Sequence, residues 1–259
     1  MWPFLEIAGL QISTNSLALA LGVILGLGAL FWAGRRRRMA LAFLSDHFWL
    51  FFLLALIGGR AMQLLFYNCS LLDLPFFWKA CPGFDFGGSL LIFLIMLAIL
   101  TYRNRENFLS WLDLTTITFA TVLIFFQIGN FLAGKNYGIP TDLPWGVVFV
   151  DPNSAVLTTL PIHPVQIYFG LFTFLVLILG MLIFKRTLES GTAGIFILLT
   201  LASGYFFLDF LRGDSAPTFY FLRISQIYAL IFFSLAAGLL LKRSYKKIKN
   251  QTTEEVQIR

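Results

Sequence analysis

The chain has 259 residues, of which 58% are hydrophobic and 12% are charged, and its mean hydropathy is +0.82. A soluble domain carries about 25% charged residues, so this chain has too few to cover a globular surface of its size, which excludes a soluble fold. The formal net charge is +6, but the basic residues form no patch interleaved with exposed aromatic residues. We therefore expect no nucleic-acid partner.

Seven apolar runs follow one another along the chain. Each approaches the roughly 20 residues that a helix needs to cross a bilayer, and in lipid such runs must be helices because every backbone polar group needs an internal partner. The runs cover about residues 15–34, 48–67, 86–102, 111–131, 164–184, 193–211 and 224–241. The sequence predicts an all-α polytopic membrane protein with seven transmembrane helices, comprising a membrane domain over 1–249 and a cytoplasmic tail over 250–259.

The basic residues are distributed unevenly between the two ends of these runs. One set of connections and the C-terminal tail hold 14 of the 19 Lys and Arg residues, at 35–38, 103, 105, 185, 186 and within 242–259. By the positive-inside rule, this set is cytoplasmic, so we predict the N-terminus outside and the C-terminus in the cytoplasm. The first run is long and has no basic residue before it, so we expect no cleavable signal peptide.

The two cysteines, Cys69 and Cys81, fall between the second and third runs. The predicted orientation makes this connection extracytoplasmic, where disulfides persist. The sequence leaves two alternatives open: a disulfide that closes the loop, or two unpaired thiols near the membrane interface.

Polar residues interrupt the apolar runs at four places, and each place is predicted to lie toward the outer side. The four segments are 58–60, 85–88, 127–130 and 209–212. Ionisable or amide side chains at membrane depth usually face a cavity or a partner. We therefore expect functional residues here.

Arg60 and Arg212 are the cations of these segments. The planar guanidinium of Arg60 suits a phosphate or carboxylate ligand, and the alternative is an ion pair with a carboxylate such as Asp209. Asp209 and Arg212 are three residues apart on a helix and can pair with each other. Both arginines are candidate phosphate contacts.

Gln127 and Asn130 share one helix face, which suits either a bound lipid or hydrogen bonds between helices. Gly129 allows a close approach of backbone to a lipid or to another helix. His163 precedes Pro164 at the start of the fifth run, and it is a candidate general base or a residue that fixes the adjoining loop. No set of residues matches a metal-ligand spacing, so we expect no metal and no cofactor.

Several of these segments, taken together, resemble the prolipoprotein diacylglyceryl transferase family. The segment from Gly58 to Asn68 is similar to the family's Gly-x-Arg-x-x-Tyr-x-x-Phe-Tyr-Asn. Gly129-Asn-Phe131, Pro140-Thr-Asp-Leu-Pro-Trp145 and His163-Pro-x-Gln-x-Tyr168 match family motifs in the same order, and Asp209-Phe-x-Arg212 resembles its Glu-Phe-x-Arg. The resemblance extends over nearly the whole chain.

The resemblance implies a bacterial inner-membrane enzyme that moves a diacylglyceryl group from phosphatidylglycerol, or a related phospholipid, to the lipobox cysteine of a prolipoprotein. It implies catalytic roles for His163 and Arg212 and lipid contacts for Arg60, Gln127, Asn130 and Gly129. At five positions where the family pattern has a histidine, two arginines and two glutamates, this chain has other residues. These positions are Phe86, Gln127, Lys135, Phe169 and Tyr205. The alternative is a catalytically impaired relative that binds lipid or lipoprotein without transfer.

Overall fold

The computed structural model describes residues 2–7, 10–66 and 85–258. Within these residues, seven helices are long and apolar enough to cross a membrane. They are α1 (Thr14–Arg37), α3 (Phe48–Phe66), α4 (Phe86–Arg103), α5 (Phe108–Ala133), α6 (Val165–Arg186), α7 (Thr192–Leu208, extended by a 3-10 turn at Asp209–Leu211) and α8 (Ile224–Ile258); α2 (Ala42–Asp46) is short. The predicted all-α polytopic fold is confirmed, whereas Cys69 and Cys81 lie outside the described residues.

Six of the seven predicted runs agree with the helices to within about three residues at each end. The exception is α8, which was predicted to end near 241 and continues to Ile258. The boundary predicted between residues 249 and 250 therefore falls inside a continuous helix, whose apolar part spans Ile224–Lys249. The basic sequence after residue 241 still has good helix formers, so the helix persists where the apolar run stops.

Helix α5 begins and ends at recognisable caps. The Asn107 side chain accepts hydrogen bonds from the backbone N–H groups of Leu109 and Ser110 at 3.0 and 3.4 Å, which satisfies donors that the first helical turn leaves unpaired. At the other end Gly134 adopts a left-handed conformation with φ of 70°, which glycine adopts without strain. The chain leaves α5 there and enters the loop that leads to α6.

Helix α5 lies at the centre of the bundle, where it packs against α1, α6 and α7. Its Trp111, Leu114, Ile117 and Ala120 are fully buried. Glycines bring α1 close: a Cβ atom at Gly22 would lie 2.8 Å from the Phe125 Cβ atom. Small residues at such contacts allow membrane helices to pack without voids.

The start of α7 is held by a buried carboxylate of α5. Asp113 accepts hydrogen bonds from the backbone N–H of Gly191 at 2.8 Å and of Gly194 at 2.6 Å. Gly191 precedes the first helical residue, so Asp113 acts as a capping group supplied by another helix. A Cβ atom at Gly194 would lie 2.9 Å from the α5 backbone, and this glycine therefore permits the contact.

Two short hairpins supplement the helices and were not predicted. Strands β1 (Phe4–Ile7) and β2 (Leu10–Ser13) pair before α1, and β3 (Thr218–Phe219) and β4 (Leu222–Arg223) pair between α7 and α8. In the loop between α5 and α6, isolated bridges pair Gly138 with Arg212, and both Pro140 and Val147 with Ile162. The contact with Arg212 places that loop over the end of α7, on the side opposite most of the basic residues.

Candidate functional site

A cavity of about 310 Å³ lies between α4, α5, α7 and α8, with α6 contributing Phe169. Its wall on α5 extends from Thr116 to Gln127, which corresponds to about 16 Å along a helix that rises 1.5 Å per residue. Most of the lining is apolar, and the polar groups gather at the end where α7 finishes and α8 begins. The cavity is therefore long and amphipathic, with its polar end on the predicted outer side.

The polar end is built around Arg212. Its guanidinium donates two hydrogen bonds to Asp214, from Nε to Oδ1 at 3.0 Å and from Nη2 to Oδ2 at 2.6 Å. It also donates from Nη1 to Asp209 Oδ1 at 3.0 Å and from Nη2 to Asn136 Oδ1 at 3.3 Å. Within residues 2–7, 10–66 and 85–258, these bonds use four of the five N–H groups of an arginine, which leaves one Nη1 proton for a ligand.

Two neighbours complete this polar cluster. Arg223 donates to Asp214 Oδ1 at 3.0 Å and to the Arg212 carbonyl at 2.8 Å, and Ser225 donates to Asp209 Oδ2. The predicted pairing of Asp209 with Arg212 is confirmed. The two arginines and two aspartates have no net charge together, and their bidentate geometry fixes the direction of the Arg212 guanidinium.

A second set of polar groups joins α5, α6 and α7 at the outer end of the α5 wall, where Gln127 lies. Gln127 donates to the Tyr205 hydroxyl at 3.4 Å, and this hydroxyl lies 2.9 Å from Thr173 Oγ1. Asn130 Nδ2 is 3.5 Å from Gln127 Oε1. The Phe169 ring packs on the Tyr205 ring with centroids 4.4 Å apart. Helix α5 is thus joined to α6 and α7 by uncharged groups.

Four of the five positions that depart from the family pattern line this single cavity. They are Phe86, Gln127, Phe169 and Tyr205. Phe86 stacks on Phe126 of α5 with centroids 5.6 Å apart. Lys135 differs, because its side chain is exposed and does not belong to the lining. The departures therefore alter one continuous surface, because two phenylalanine rings, an amide and a phenol hydroxyl replace the charged or imidazole groups of the family pattern.

Asp85 was identified from the sequence only as part of the polar segment 85–88, and no acid or base role was predicted for it. It precedes α4, lines the cavity, and accepts a hydrogen bond from the Gly88 N–H at 2.5 Å. Burial raises the pKa of the Asp85 carboxyl above its usual value, although hydrogen bonds from Gly88 and the Tyr228 hydroxyl partly oppose this. The sequence feature that could have indicated this site is an aspartate shortly before Gly87-Gly88 at the start of an apolar run.

His163 lies in the loop between α5 and α6 and does not belong to the cavity lining. Its backbone N–H donates to the Ile139 carbonyl at 3.0 Å, and its Nδ1 atom lies 3.3 Å from the Tyr168 hydroxyl, which accepts from Trp145 at 2.7 Å. These contacts join the two ends of the loop. The catalytic role of His163 stays a prediction.

Three further predicted lipid contacts are buried away from the lining of the cavity. Arg60 is 1% exposed in α3, and Asn130 is 1% exposed in α5. Gly129 faces α1, because a Cβ atom there would lie 2.7 Å from the Asn15 side chain. Of the predicted lipid-binding residues, only Gln127 lines the cavity, and Asn130 reaches it through Gln127.

The chain is similar to known proteins over most of its length. A family model described as "Prolipoprotein diacylglyceryl transferase" matches residues 3–242. The phosphatidylglycerol–prolipoprotein diacylglyceryl transferase of Chlamydia pneumoniae is 29% identical over 225 residues, which cover 80% of this chain and 77% of that protein. The protein of the same name from Clostridium tetani is 28% identical over 239 residues, covering 90% and 93%, and that of Chlamydia caviae is 30% identical, covering 80% and 76%.

Proposed function

The chain belongs to the prolipoprotein diacylglyceryl transferase family, and on this premise we propose that it transfers a diacylglyceryl group from phosphatidylglycerol to the lipobox cysteine of a prolipoprotein. The observation that carries the proposal is the match over residues 3–242, since it includes every residue that lines the cavity. The protein is a multi-pass membrane protein, and we place it in the bacterial inner membrane with its polar site outward.

The shape of the cavity supports a phospholipid as donor. Its apolar walls on α5, α7 and α8 suit acyl chains, and its polar end suits a glycerol phosphate headgroup. The volume of about 310 Å³ is at the lower end of the roughly 300–1,000 Å³ that small-molecule sites enclose. We infer that it encloses the glyceryl region and the first part of an acyl chain, while the remaining chain lies in the bilayer.

In the reaction, the sulfur of the acceptor cysteine attacks the glyceryl carbon that carries the phosphate ester, and glycerol phosphate leaves with the bonding electrons. The departing phosphate needs hydrogen-bond donors that are already aimed at its developing charge. We assign this role to Arg212, whose free Nη1 proton is aimed by its bonds to Asp209 and Asp214. Asn136 lines the same end and supplies a further hydrogen-bonding group.

The remaining predicted site residues take supporting roles in this proposal. Gln127 contacts the headgroup from the cavity wall, and Asn130 orients Gln127. Arg60 and Gly129 do not line the cavity and have structural roles. Arg60 holds α3 in place, and Gly129 allows α1 to pack against α5. All three relatives described above carry the transferase name, so the comparisons give no support to an impaired relative that binds without transfer.

A transfer assay with defined components tests the proposal. The purified protein is placed in vesicles that contain phosphatidylglycerol, together with a synthetic peptide that carries a lipobox cysteine, and the peptide is followed by mass spectrometry. We expect a gain in mass equal to one diacylglyceryl group, and none in vesicles of phosphatidylcholine alone. Retention of phosphatidylglycerol with an unmodified peptide would contradict transfer.

A further inference from the structure

Two carboxylates line the cavity at helix ends on its outer side, one on α7 and one before α4. Asp209 and Arg212 stand where α7 ends, and Asp85 stands where α4 begins. Asp209 is bound to Arg212 and to Ser225, so its charge is already engaged. Among the residues that the structure describes, Asp85 forms no salt bridge, and its carboxylate accepts a hydrogen bond from the neutral Gly88 N–H.

A carboxylate in this situation can still accept a proton. It offers about four lone-pair sites, and the Gly88 bond occupies one of those on Oδ1. A general base must reach the proton that it removes, and Asp85 lines the same cavity as Phe86 and Arg212. His163, the base suggested by the sequence, is outside the lining.

We propose that Asp85 is the general base of the transfer, a residue that receives the proton of the acceptor cysteine. The proposal rests on the proposed function, because it needs a thiol as the nucleophile. The S–H proton moves to the Asp85 carboxylate, the sulfur lone pair forms the bond to the glyceryl carbon, and the carbon–oxygen bond breaks toward the phosphate held at Arg212. Asp85 then returns its proton to the departing glycerol phosphate or to water.

The environment of Asp85 suits this role. Burial raises the pKa of its carboxyl, and a stronger base removes a thiol proton more effectively. Among the described residues, the ionisable groups nearest to it in the fold are Tyr228 on α8, Asp209 and Arg212 of the same cavity, and Arg60 on α3. Arg60 follows Gly59, whose carbonyl accepts the Asp85 N–H at 3.2 Å. Of these, Asp85 is the group expected to control activity on the acid side.

The test uses two substitutions that preserve the cap of α4. Asparagine and serine both accept a hydrogen bond at a helix N-terminus, so Asp85→Asn and Asp85→Ser keep the Gly88 contact and remove only the carboxylate. We measure kcat for lipobox-peptide transfer against pH in phosphatidylglycerol vesicles, and we measure bound phosphatidylglycerol by native mass spectrometry. Asp46→Asn, an exposed aspartate on α2, is the matched control.

We expect both Asp85 variants to lose roughly 10²-fold or more in kcat, the range for a removed general base, while bound phosphatidylglycerol is unchanged. The base acts when it is deprotonated, so wild-type kcat falls as the pH drops through the Asp85 pKa. This decrease at acidic pH, the acid limb of the pH profile, disappears in the variants. Adding Phe86→His to Asp85→Asn places an imidazole on the same wall. This double variant should have a kcat about tenfold higher than Asp85→Asn alone. Its acid limb should move toward the imidazole pKa of about 6.5.

The possible failures are distinguishable. If the wild-type protein transfers no diacylglyceryl group, the proposed function is wrong, and the role of Asp85 falls with it. If the wild type is active and both Asp85 variants keep more than half of kcat, only the role of Asp85 is wrong. The role is also wrong if the variants release phosphatidylglycerol, or if His163→Ala removes the acid limb and the Asp85 variants do not.

Discussion

Arg212 and Asp214 form a bidentate pair at the polar end of the cavity, with Nε–Oδ1 at 3.0 Å and Nη2–Oδ2 at 2.6 Å. Two parallel hydrogen bonds hold a guanidinium in one orientation, whereas a single contact would let it rotate. Asp209 fixes the same group from a third direction. Arg212 is therefore oriented before any lipid arrives, which is the condition for electrostatic stabilisation of a leaving phosphate.

Replacing Arg212 tests this pre-orientation. Arg212→Lys keeps the charge but cannot form the bidentate contact, so we expect kcat to fall about 10²-fold, as for the loss of one stabilising donor. Arg212→Ala also leaves two carboxylates without this partner and should lower the free energy of unfolding by up to about 3 kcal/mol. Transfer and thermal unfolding are measured together. Equal activity of Arg212→Lys and wild type would contradict the role of the oriented guanidinium. The control is Arg103→Ala, which replaces an exposed arginine at the end of α4.

The apolar part of the cavity is tested by filling it. Ala202 of α7 lines the cavity and is 6% exposed, so Ala202→Phe places a ring where we infer an acyl chain. Because the ring enters existing space, the unfolding temperature should change little, while bound phosphatidylglycerol and transfer both decrease. Leu179→Phe on the bilayer-facing side of α6, half exposed, should change neither. Normal lipid binding by Ala202→Phe would show that the donor binds elsewhere.

The Asp113 cap predicts a loss of stability without a loss of chemistry. Asp113→Ala leaves the buried N–H groups of Gly191 and Gly194 without their acceptor, which costs about 1–3 kcal/mol for each unsatisfied group. We expect a lower unfolding temperature in detergent and near-normal transfer at low temperature, because Asp113 does not line the cavity. An unchanged unfolding temperature would mean that the cap contributes nothing.

The predicted orientation is open to a direct test. A green fluorescent protein fused after Arg259 should fluoresce, because that end is predicted to be cytoplasmic. Alkaline phosphatase inserted after Asn153, an exposed residue of the loop between α5 and α6, should be active because it is exported. The reverse pattern would place the cavity mouth on the cytoplasmic side and contradict access to prolipoproteins outside.

The helices were predictable because their signal is local. An apolar run of sufficient length must be helical in a bilayer, so six runs agreed with the structure to within about three residues. The end of helix α8 was predicted too early, at 241 instead of Ile258. Hydropathy indicates where the membrane-spanning part ends and not where the helix ends. The hairpins are two to four residues per strand, too short for an alternating pattern to be recognised.

The site was only partly predictable, because it depends on distant pairings. Asp209 and Arg212 are three residues apart, and their contact followed from helix geometry. The bonds from Arg212 to Asn136, and from Gln127 to Tyr205, join residues 76 and 78 positions apart, and no local rule identifies them. The sequence likewise could not decide whether Gly129 faces lipid or a helix, since both need a missing side chain; the structure places it against α1.

Complementation tests the central claim most directly. The chain is expressed in cells depleted of their own diacylglyceryl transferase, its presence in the membrane is verified, and a reporter lipoprotein is followed by mass spectrometry. We predict that the reporter gains one diacylglyceryl group on its lipobox cysteine and that Arg212→Ala abolishes the gain. An unmodified reporter, in cells whose membranes contain the folded protein, would contradict the claim that this cavity carries out diacylglyceryl transfer.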